Sequence, residues 1–170
     1  MIEIIAEYDY VLRIKTKIET KTSRKPQILE MVYDPGAGTT TISEQVALDA
    51  GYQIKEGIDT YVEGIGGSVK ARYTIVPNMT IGGVGLGPVY AHVVKFHEKL
   101  AQRTNALLGM NVLSWFKITQ DCRWDNDKER YATAVLQFEP KFDITDIPSL
   151  DCFFPGKRGQ RFGSAFHLDF

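Results

Sequence analysis

The sequence predicts a mainly β domain, closed or sandwiched, with one or two short helices. Apolar residues such as Leu12, Ile14 and Ile18 alternate with charged ones near the start of the chain, and a period of two is typical of half-buried strands. Turn-forming residues recur at close intervals, and only two brief segments have the features of helices. Many short strands with few helices indicate a barrel or a sandwich.

The early chain is predicted to form strands separated by turns. Residues 2–7 and 10–18 alternate and are expected to be strands. Residues 21–26 are polar and end in a proline, which indicates a loop. Residues 28–33 are mostly apolar and stop abruptly at Asp34-Pro35-Gly36. That pattern indicates a buried strand that leads into a tight turn.

The first helix is predicted between Ser43 and Ala50. Ser43 is suited to cap its N terminus, and Gly51 supplies a left-handed stop. Two strands around a glycine-rich tip are expected over residues 60–76, which is a hairpin signal. The remaining predicted elements are a strand at 80–81, a turn at Gly82-Gly83, strands at 89–96 and 131–138, and a short helix at 110–116.

Length and composition exclude several classes of function. The chain has 170 residues, enough for one domain, and 20 basic residues balance 21 acidic ones. A formal net charge of −1 gives no broad field for nucleic acid or a membrane surface. No segment has the apolar length of a membrane span. The acidic N-terminal residues are wrong for a secretory signal, so a cytoplasmic protein is expected.

Cysteines, histidines and glycines give no sign of a metal or a cofactor. Cys122 and Cys152 match no metal or redox spacing, so both thiols are expected to be packing residues. A disulfide between them depends on geometry that the sequence does not define. His92 and His97 complete no metal-binding pattern. The glycine run at 82–87 lacks nucleotide-binding spacing and a following helix, so a loop between strands is the expectation.

Three segments carry the chemistry. The first is Met31-Val-Tyr-Asp-Pro-Gly-Ala-Gly-Thr-Thr-Thr-Ile-Ser43. The second is Val62-Glu-Gly-Ile-Gly-Gly-Ser-Val-Lys-Ala-Arg-Tyr73. The third is Ala106-Leu-Leu-Gly-Met-Asn-Val-Leu113. In this order they resemble the retropepsins, the single-domain aspartic proteases of retroviruses and their bacterial and cellular relatives. Ile81-Gly82-Gly83 before a strand is similar to the bacterial members.

The resemblance covers roughly residues 27–119 and implies a closed β-barrel that acts as a homodimer. A domain over residues 1–140 is expected, with an extension over 141–170 packed on the body or on a partner. The implied activity is hydrolysis of peptide bonds in an extended polypeptide. No cofactor, metal, nucleic acid or membrane partner is implied.

The resemblance also assigns the site residues. Asp34 matches the catalytic aspartate, and Pro35, Gly36 and Ala37 form its supporting loop. The flap that closes over the substrate corresponds to Glu63, Gly64, Ile65, Gly66, Gly67 and Ser68. Two carboxylates that share one proton provide an acid and a base together. Because the chain has one Asp-x-Gly-Ala motif, a second copy must supply the second carboxylate.

Pro35 departs from the family pattern. The family has Thr or Ser at this position, where a hydroxyl and a backbone N–H brace the loop across the dimer axis. Proline offers neither donor and fixes φ near −65°. Either this chain braces the loop differently, through Thr39 to Thr41, or the site is looser or inactive. A non-catalytic binding or assembly module on the same fold is therefore the alternative prediction.

Overall fold

The structure, a computed structural model, describes residues 1–8, 11–64, 67–97, 101–127 and 130–141. Strands dominate these ranges, which confirms the mainly β class, and no helix among the described residues is long and apolar enough to cross a membrane. The elements are β1 (Ile2–Tyr8), β2 (Leu12–Ile18), β3 (Gln27–Tyr33), β4 (Thr41–Ser43), α1 (Glu44–Asp49), β5 (Lys55–Gly64), β6 (Gly67–Val76), β7 (Met79–Ile81), β8 (Val84–Gly85), β9 (Val89–Val94), β10 (Ala106–Leu108), α2 (Met110–Leu113), β11 (Phe116–Asp125) and β12 (Arg130–Pro140).

The strands form one sheet that branches at β2. The main order is β11-β12-β1-β2-β3-β10-β4-β9-β6-β5. The start of β2 pairs with β1, whereas its end pairs with β7, and β3 runs along its other edge. Since β7 takes the place of β1 beside β2, the two edges diverge there and enclose apolar side chains between them.

The predicted closed barrel is wrong for the described residues, because the sheet is open. Closure requires the two terminal strands of the sheet to pair with each other. Here β11 pairs with β12 and β5 pairs with β6, and each terminates the sheet order. Both belong to long hairpins, and most of β11 is exposed to solvent rather than packed on the core.

The predicted alternation of the early strands is confirmed by burial. Ile14 and Ile18 are fully buried, while Lys15 and Lys17 on the same strand are exposed. At the other end of the core the rings of Phe116 and Phe138 meet edge to face, with their centroids 5.4 Å apart. Aromatic pairs in this geometry contribute about 0.5–1.5 kcal/mol beyond their burial. The hydrophobic core therefore extends from β2 to the β11–β12 hairpin.

The predicted ends of the first helix are confirmed, because residues next to the helix determine them. Ser43 caps α1 by accepting a hydrogen bond from the Val46 N–H at 3.2 Å, and Gly51 has a positive φ of 72°. The second helix ends earlier than predicted, at Leu113, because Phe116 already begins β11. The apolar run at 110–116 is compatible with a helix or a strand. Its last residue, Phe116, is in a strand because it pairs with β12.

Cys122 is exposed, which contradicts its predicted role as a packing residue. It lies on β11 opposite Ala134 of β12. Ala134 is buried, whereas Cys122 is on an outermost strand and no described element covers it. The second cysteine, Cys152, and all of the predicted extension except Lys141 lie outside the described residues.

The glycine run at 82–87 contains the predicted turn at Gly82-Gly83, but the short strand β8 lies within the predicted loop. Gly82 and Gly83 both have positive φ angles and connect β7 to β8. A Cβ on Gly82 would lie 2.0 Å from a methyl carbon of Ile2. The absence of a side chain at Gly82 thus allows β1 to pack closely, and the strand β9 follows this run rather than a helix.

Replacing Phe138 by alanine should destabilise the protein strongly. The fully buried ring would leave a cavity beside Phe116, and such changes cost about 3–5 kcal/mol. The matched control is Ile5→Ala on the neighbouring strand, since Ile5 is 68% exposed and should cost less than about 1 kcal/mol. Urea denaturation measures both free energies of unfolding, and similar losses would contradict the position of this core.

Candidate active site

Asp34 lies where β3 ends and the chain must cross another strand. Strand β10 is inserted between β3 and β4, parallel to the first and antiparallel to the second. Residues 34–40, which join β3 to β4, therefore pass over the end of β10. The backbone N–H of Asp34 donates to the Leu108 carbonyl at 3.1 Å and continues the ladder. The buried centre of the sheet thus positions the Asp34 backbone.

The Asp34 carboxylate is held by its own turn. The Gly36 N–H donates to Oδ1 of Asp34 at 2.9 Å, and the Ala37 N–H donates to the Asp34 carbonyl at 3.1 Å. A Cβ on Gly36 would lie 3.1 Å from that carboxylate oxygen, so a side chain at this position would crowd it. Pro35 is exposed at the tip of the turn. Asp34 as a whole is half-buried.

The segment 109–111 braces this loop through backbone hydrogen bonds. The Met110 N–H donates to the Ala37 carbonyl at 2.7 Å, and the Asn111 N–H donates to the Gly38 carbonyl at 3.1 Å. These bonds satisfy loop carbonyls that no strand partner could reach. They also fix the loop to the residues that follow β10, so the position of Asp34 depends on a contact about 70 residues away in sequence.

Thr40 and Asn111 form the centre of the brace. The Thr40 N–H donates to Oδ1 of Asn111 at 2.6 Å, and Nδ2 of Asn111 donates to the Tyr90 carbonyl at 2.9 Å. The Thr40 hydroxyl accepts a hydrogen bond from the Gly109 N–H at 3.2 Å. The backbone carbonyl of Thr40 accepts one from the His92 N–H. Thr40 is fully buried, so each of these polar groups requires its partner.

Threonines in this loop brace it within one chain. Besides the bond from Gly109 to Thr40, the Thr41 hydroxyl donates to the Thr39 carbonyl at 3.1 Å. The sequence analysis proposed that Thr39 to Thr41 replace the family's brace, which Pro35 cannot form. The structure shows their intrachain bonds, whereas a bond across a dimer axis stays a prediction.

Gly109 is required by a close approach of two backbones. A Cβ at this position would lie 2.4 Å from the Thr39 carbonyl carbon and 2.6 Å from the Thr40 nitrogen. These atoms belong to the backbone and cannot move aside as a flexible side chain would. Only glycine therefore allows the segment after β10 to reach the loop that carries Asp34.

A glycine-rich hairpin is formed by β5 and β6, as predicted. Gly64 pairs with Gly67 across its tip, and Glu63 pairs with Ser68. Ile65 and Gly66 lie outside the described residues. In the sheet order, β9 separates this hairpin from β4, which receives the Asp34 loop. The predicted flap is thus present as a hairpin, and its closure over a substrate stays a prediction.

An ion pair ties the base of the hairpin to the body. A terminal guanidinium nitrogen of Arg72 on β6 lies 2.7 Å from a carboxylate oxygen of Glu44 in the first turn of α1. This hydrogen bond raises the pKa of Arg72, and the Glu44 charge acts in the same direction. Because α1 directly follows β4, the pair connects the hairpin to the end of the Asp34 loop. Neither residue gave a sequence signal, since 28 positions separate them.

The titratable groups around Asn111 and Thr40 are held in their neutral forms. Burial lowers the pKa of His92 below its usual range, which favours the neutral ring. Burial, with a smaller effect of Tyr73, raises the pKa of Tyr90 to about 12. Tyr90 stacks on Tyr73 at 5.4 Å and meets His92 edge to face. The described residues contain no group of three His, Cys, Asp or Glu side chains arranged for a metal ion.

The structure therefore joins two of the three predicted segments directly. Asp34, Gly36 and Ala37 lie in one hydrogen-bonded unit with Gly109, Met110 and Asn111. The hairpin is connected to this unit through β9 and the Arg72–Glu44 pair. Sequence analysis named Thr40 within a possible brace but did not foresee its bonds to Gly109 and Asn111. It assigned no role to Glu44, and it did not foresee the ion pair between Glu44 and Arg72.

Comparisons with known proteins identify the family of this chain. The aspartyl protease family model matches residues 24–112, which is more than half of the chain. The chain therefore belongs to the aspartyl protease family, and the resemblance to retropepsin-like members is confirmed. A search of curated proteins gives no significant match.

Two solved structures are similar to this chain. The crystal structure of a retropepsin-like aspartic protease from Rickettsia conorii is 20% identical, with a TM-score of 0.52, covering 80% of this chain and 91% of that one. EIAV protease in complex with the inhibitor HBY-793 is also 20% identical, with a TM-score of 0.47, covering 61% and 86%. At these identities the likeness to the Rickettsia structure concerns the fold alone.

Replacing Gly109 by alanine should displace the Asp34 loop. The new methyl group would overlap the Thr39 and Thr40 backbone, and overpacking of this kind costs about 1–3 kcal/mol. Thermal or urea unfolding measures the loss. Gly38→Ala is the matched control, because a Cβ there meets no atom within 4 Å and should change stability by less than about 1 kcal/mol. Equal effects of the two changes would refute the close approach.

Proposed function

We propose that this protein is an aspartic endopeptidase that acts as a homodimer, with Asp34 of each subunit forming the acid and base pair. The observation that carries the proposal is the Asp34 turn. Asp34 is half-buried, and its carboxylate accepts a hydrogen bond from the Gly36 N–H at 2.9 Å. It lies on a loop that Gly109, Met110 and Asn111 brace. A rigid support of this kind suits a group that must be held in one orientation for catalysis.

Hydrolysis of a peptide bond without a metal or a covalent intermediate needs an acid and a base together. Two carboxylates close together do not both ionise readily, so one holds a proton while the other is charged. The ionised Asp34 would take a proton from a water molecule as the water oxygen attacks the scissile carbonyl carbon. The protonated Asp34 of the second copy would donate a hydrogen bond to the carbonyl oxygen. The C–N bond of the tetrahedral intermediate then breaks, and the carboxyl that took the proton from water gives it to the leaving amine nitrogen. The other carboxyl regains its proton from a hydroxyl of the intermediate, which leaves the carboxylic acid product.

The homodimer follows from the number of motifs. Asp34 is the one aspartate in an Asp-x-Gly-Ala context. A two-fold axis beside the Asp34 turn would bring two identical carboxylates face to face. The exposed position of Pro35 at the tip of the turn leaves this surface open to a second copy.

The hairpin supplies a surface for an extended substrate. Residues of β5 and β6 near its tip pair only with each other, so backbone groups along the outer edge of β5 can bind a peptide as an added strand. The glycines at 64, 66 and 67 permit the backbone to move when the flap closes. The pair between Arg72 and Glu44 would keep the base of the hairpin fixed while its tip moves.

The change Asp34→Asn should abolish cleavage while leaving the fold intact. Asparagine keeps the size and the hydrogen bond from Gly36 but removes the charge and the titrating proton, so we expect a loss of more than about a thousandfold. Degradation of an unstructured protein at mildly acidic pH measures the activity, and circular dichroism checks the fold. Cleavage that persists in the Asn variant would disprove the role of Asp34.

A binding or assembly module on the same fold is the second candidate. Pro35 favours it, because proline has neither the N–H nor the hydroxyl with which the family braces the dimer. Failure of the wild-type protein to cleave at any pH, while it remains a dimer, would favour this candidate over the enzyme.

Replacing Pro35 by threonine should strengthen the proposed dimer. Threonine adds a hydroxyl and an N–H at the tip of the turn, and two added hydrogen bonds would lower the dissociation constant about tenfold. Analytical ultracentrifugation measures it. Pro35→Ala is the control, because it adds the N–H without the hydroxyl and shares the loss of proline rigidity. Identical constants for both variants would show that the hydroxyl contributes nothing.

A further inference from the structure

We propose that the segment 17–26, called the basic loop below, binds an acidic stretch of a partner polypeptide. This proposal does not depend on peptide cleavage. The basic loop comprises the end of β2 and the connection to β3. It lies at the Gln27 end of β3, whereas Asp34 follows the other end. A strand of seven residues spans about 20 Å, so the surface is distinct from the candidate active site.

The charge of the basic loop differs from that of the whole chain. It contains four cationic side chains, at Lys17, Lys21, Arg24 and Lys25, and one carboxylate, at Glu19, for a local formal charge of +3. The complete chain has a net charge of −1. A positive region on a nearly neutral protein attracts an anionic partner to that place rather than to the whole surface.

These cations have no internal carboxylate partners among the described residues. Lysines elsewhere on the surface do: Lys15 lies 3.7 Å from Glu30, Lys70 lies 3.7 Å from Glu56, and Lys117 lies 3.4 Å from Glu139. No ion pair within the described ranges involves the four cations of the basic loop. Their charge is therefore available to another molecule.

Hydrogen bonds hold the basic loop in a defined shape. The Lys21 N–H donates to the Ala50 carbonyl at 2.8 Å, and the Thr22 hydroxyl donates to the Asp49 carbonyl at 2.8 Å, so the end of α1 anchors the loop. The Glu19 N–H donates to the Asn78 carbonyl at 3.0 Å. The buried Tyr52 hydroxyl donates to the Glu19 carbonyl.

Further bonds within the loop fix its tip. The Thr20 hydroxyl donates to the Ser23 carbonyl at 3.0 Å, and the Ser23 hydroxyl accepts from the Lys25 N–H at 3.1 Å. A loop fixed at both its base and its tip loses little backbone entropy when a partner binds. The backbone is thus preorganised, while the charged side chains extend into solvent.

The surface is concave, which restricts the kind of partner. The basic loop, together with Asn78 and Thr80, lines a cavity of about 670 Å³. Its lining offers ammonium, guanidinium and hydroxyl donors, which suit carboxylates. No aromatic side chain lines it, so nucleic acid bases would lack a stacking platform. Beside Lys17, the side chain of Ile28 is 63% exposed, which adds an apolar contact suited to a polypeptide.

Binding of a labelled oligoglutamate peptide, followed by fluorescence anisotropy at low salt, tests the proposal. We expect the wild-type protein to bind this peptide, to bind oligoglutamine at least tenfold more weakly, and to lose affinity as salt is added. Combining Lys21→Gln, Arg24→Gln and Lys25→Gln should weaken oligoglutamate binding about tenfold, because three screened contacts are lost. All three side chains are exposed, so the variant should fold.

The matched control combines Lys15→Gln, Lys70→Gln and Lys117→Gln, which changes net charge equally at sites outside the basic loop. Retained binding in this control and lost binding in the loop variant would support the proposal. Equal loss in both variants, absence of oligoglutamate binding, or tighter binding of single-stranded RNA would each overturn it. Asp34→Asn should bind the peptide normally, which separates this outcome from a failure of the proposed peptidase activity.

Discussion

The candidate site depends on one close approach of two backbones, where Gly109 lies against Thr39 and Thr40. This contact is possible because β10 is inserted between two strands that are consecutive in the chain. The loop that joins those strands must cross the end of β10, where it has no ladder partners of its own. The segment after β10 supplies the missing donors, and the carboxylate of Asp34 is oriented as a result.

This arrangement makes the site a product of long-range contacts. The bonds between Thr40 and the segment 109–111 join residues about 70 positions apart. Bringing together residues of this separation costs loop-closure entropy, which the packed core must offset. Asp34 is therefore positioned only when both halves of the domain have assembled. The ion pair between Arg72 and Glu44 extends the same unit to the base of the β5–β6 hairpin.

Features that depend on neighbouring residues were predicted correctly, whereas features that depend on distant strands were predicted less well. The N-cap at Ser43 and the left-handed residue at Gly51 follow from chemistry within a few residues, and both were confirmed. The helix predicted at 110–116 ended early because pairing with β12 competes with helical periodicity for Phe116. Cys122 was expected to pack, yet it lies on an outermost strand where alternation no longer implies burial. Each error arose where a distant part of the chain decided the outcome.

The sequence alone determined the mainly β class, the three segments with Asp34 at their centre, and the membership of a family of proteases. These depend on short-range patterns of apolar, charged and glycine residues, which are legible without coordinates. Tertiary structure alone decided that Asn111 is the partner of Thr40 in the brace. It also decided, for the part of the chain that the structure describes, that the sheet is open and that the cations of the basic loop line a cavity without ion-pair partners. These features arise from which strands become neighbours, and no local pattern records the pairing of residues that are far apart in the chain.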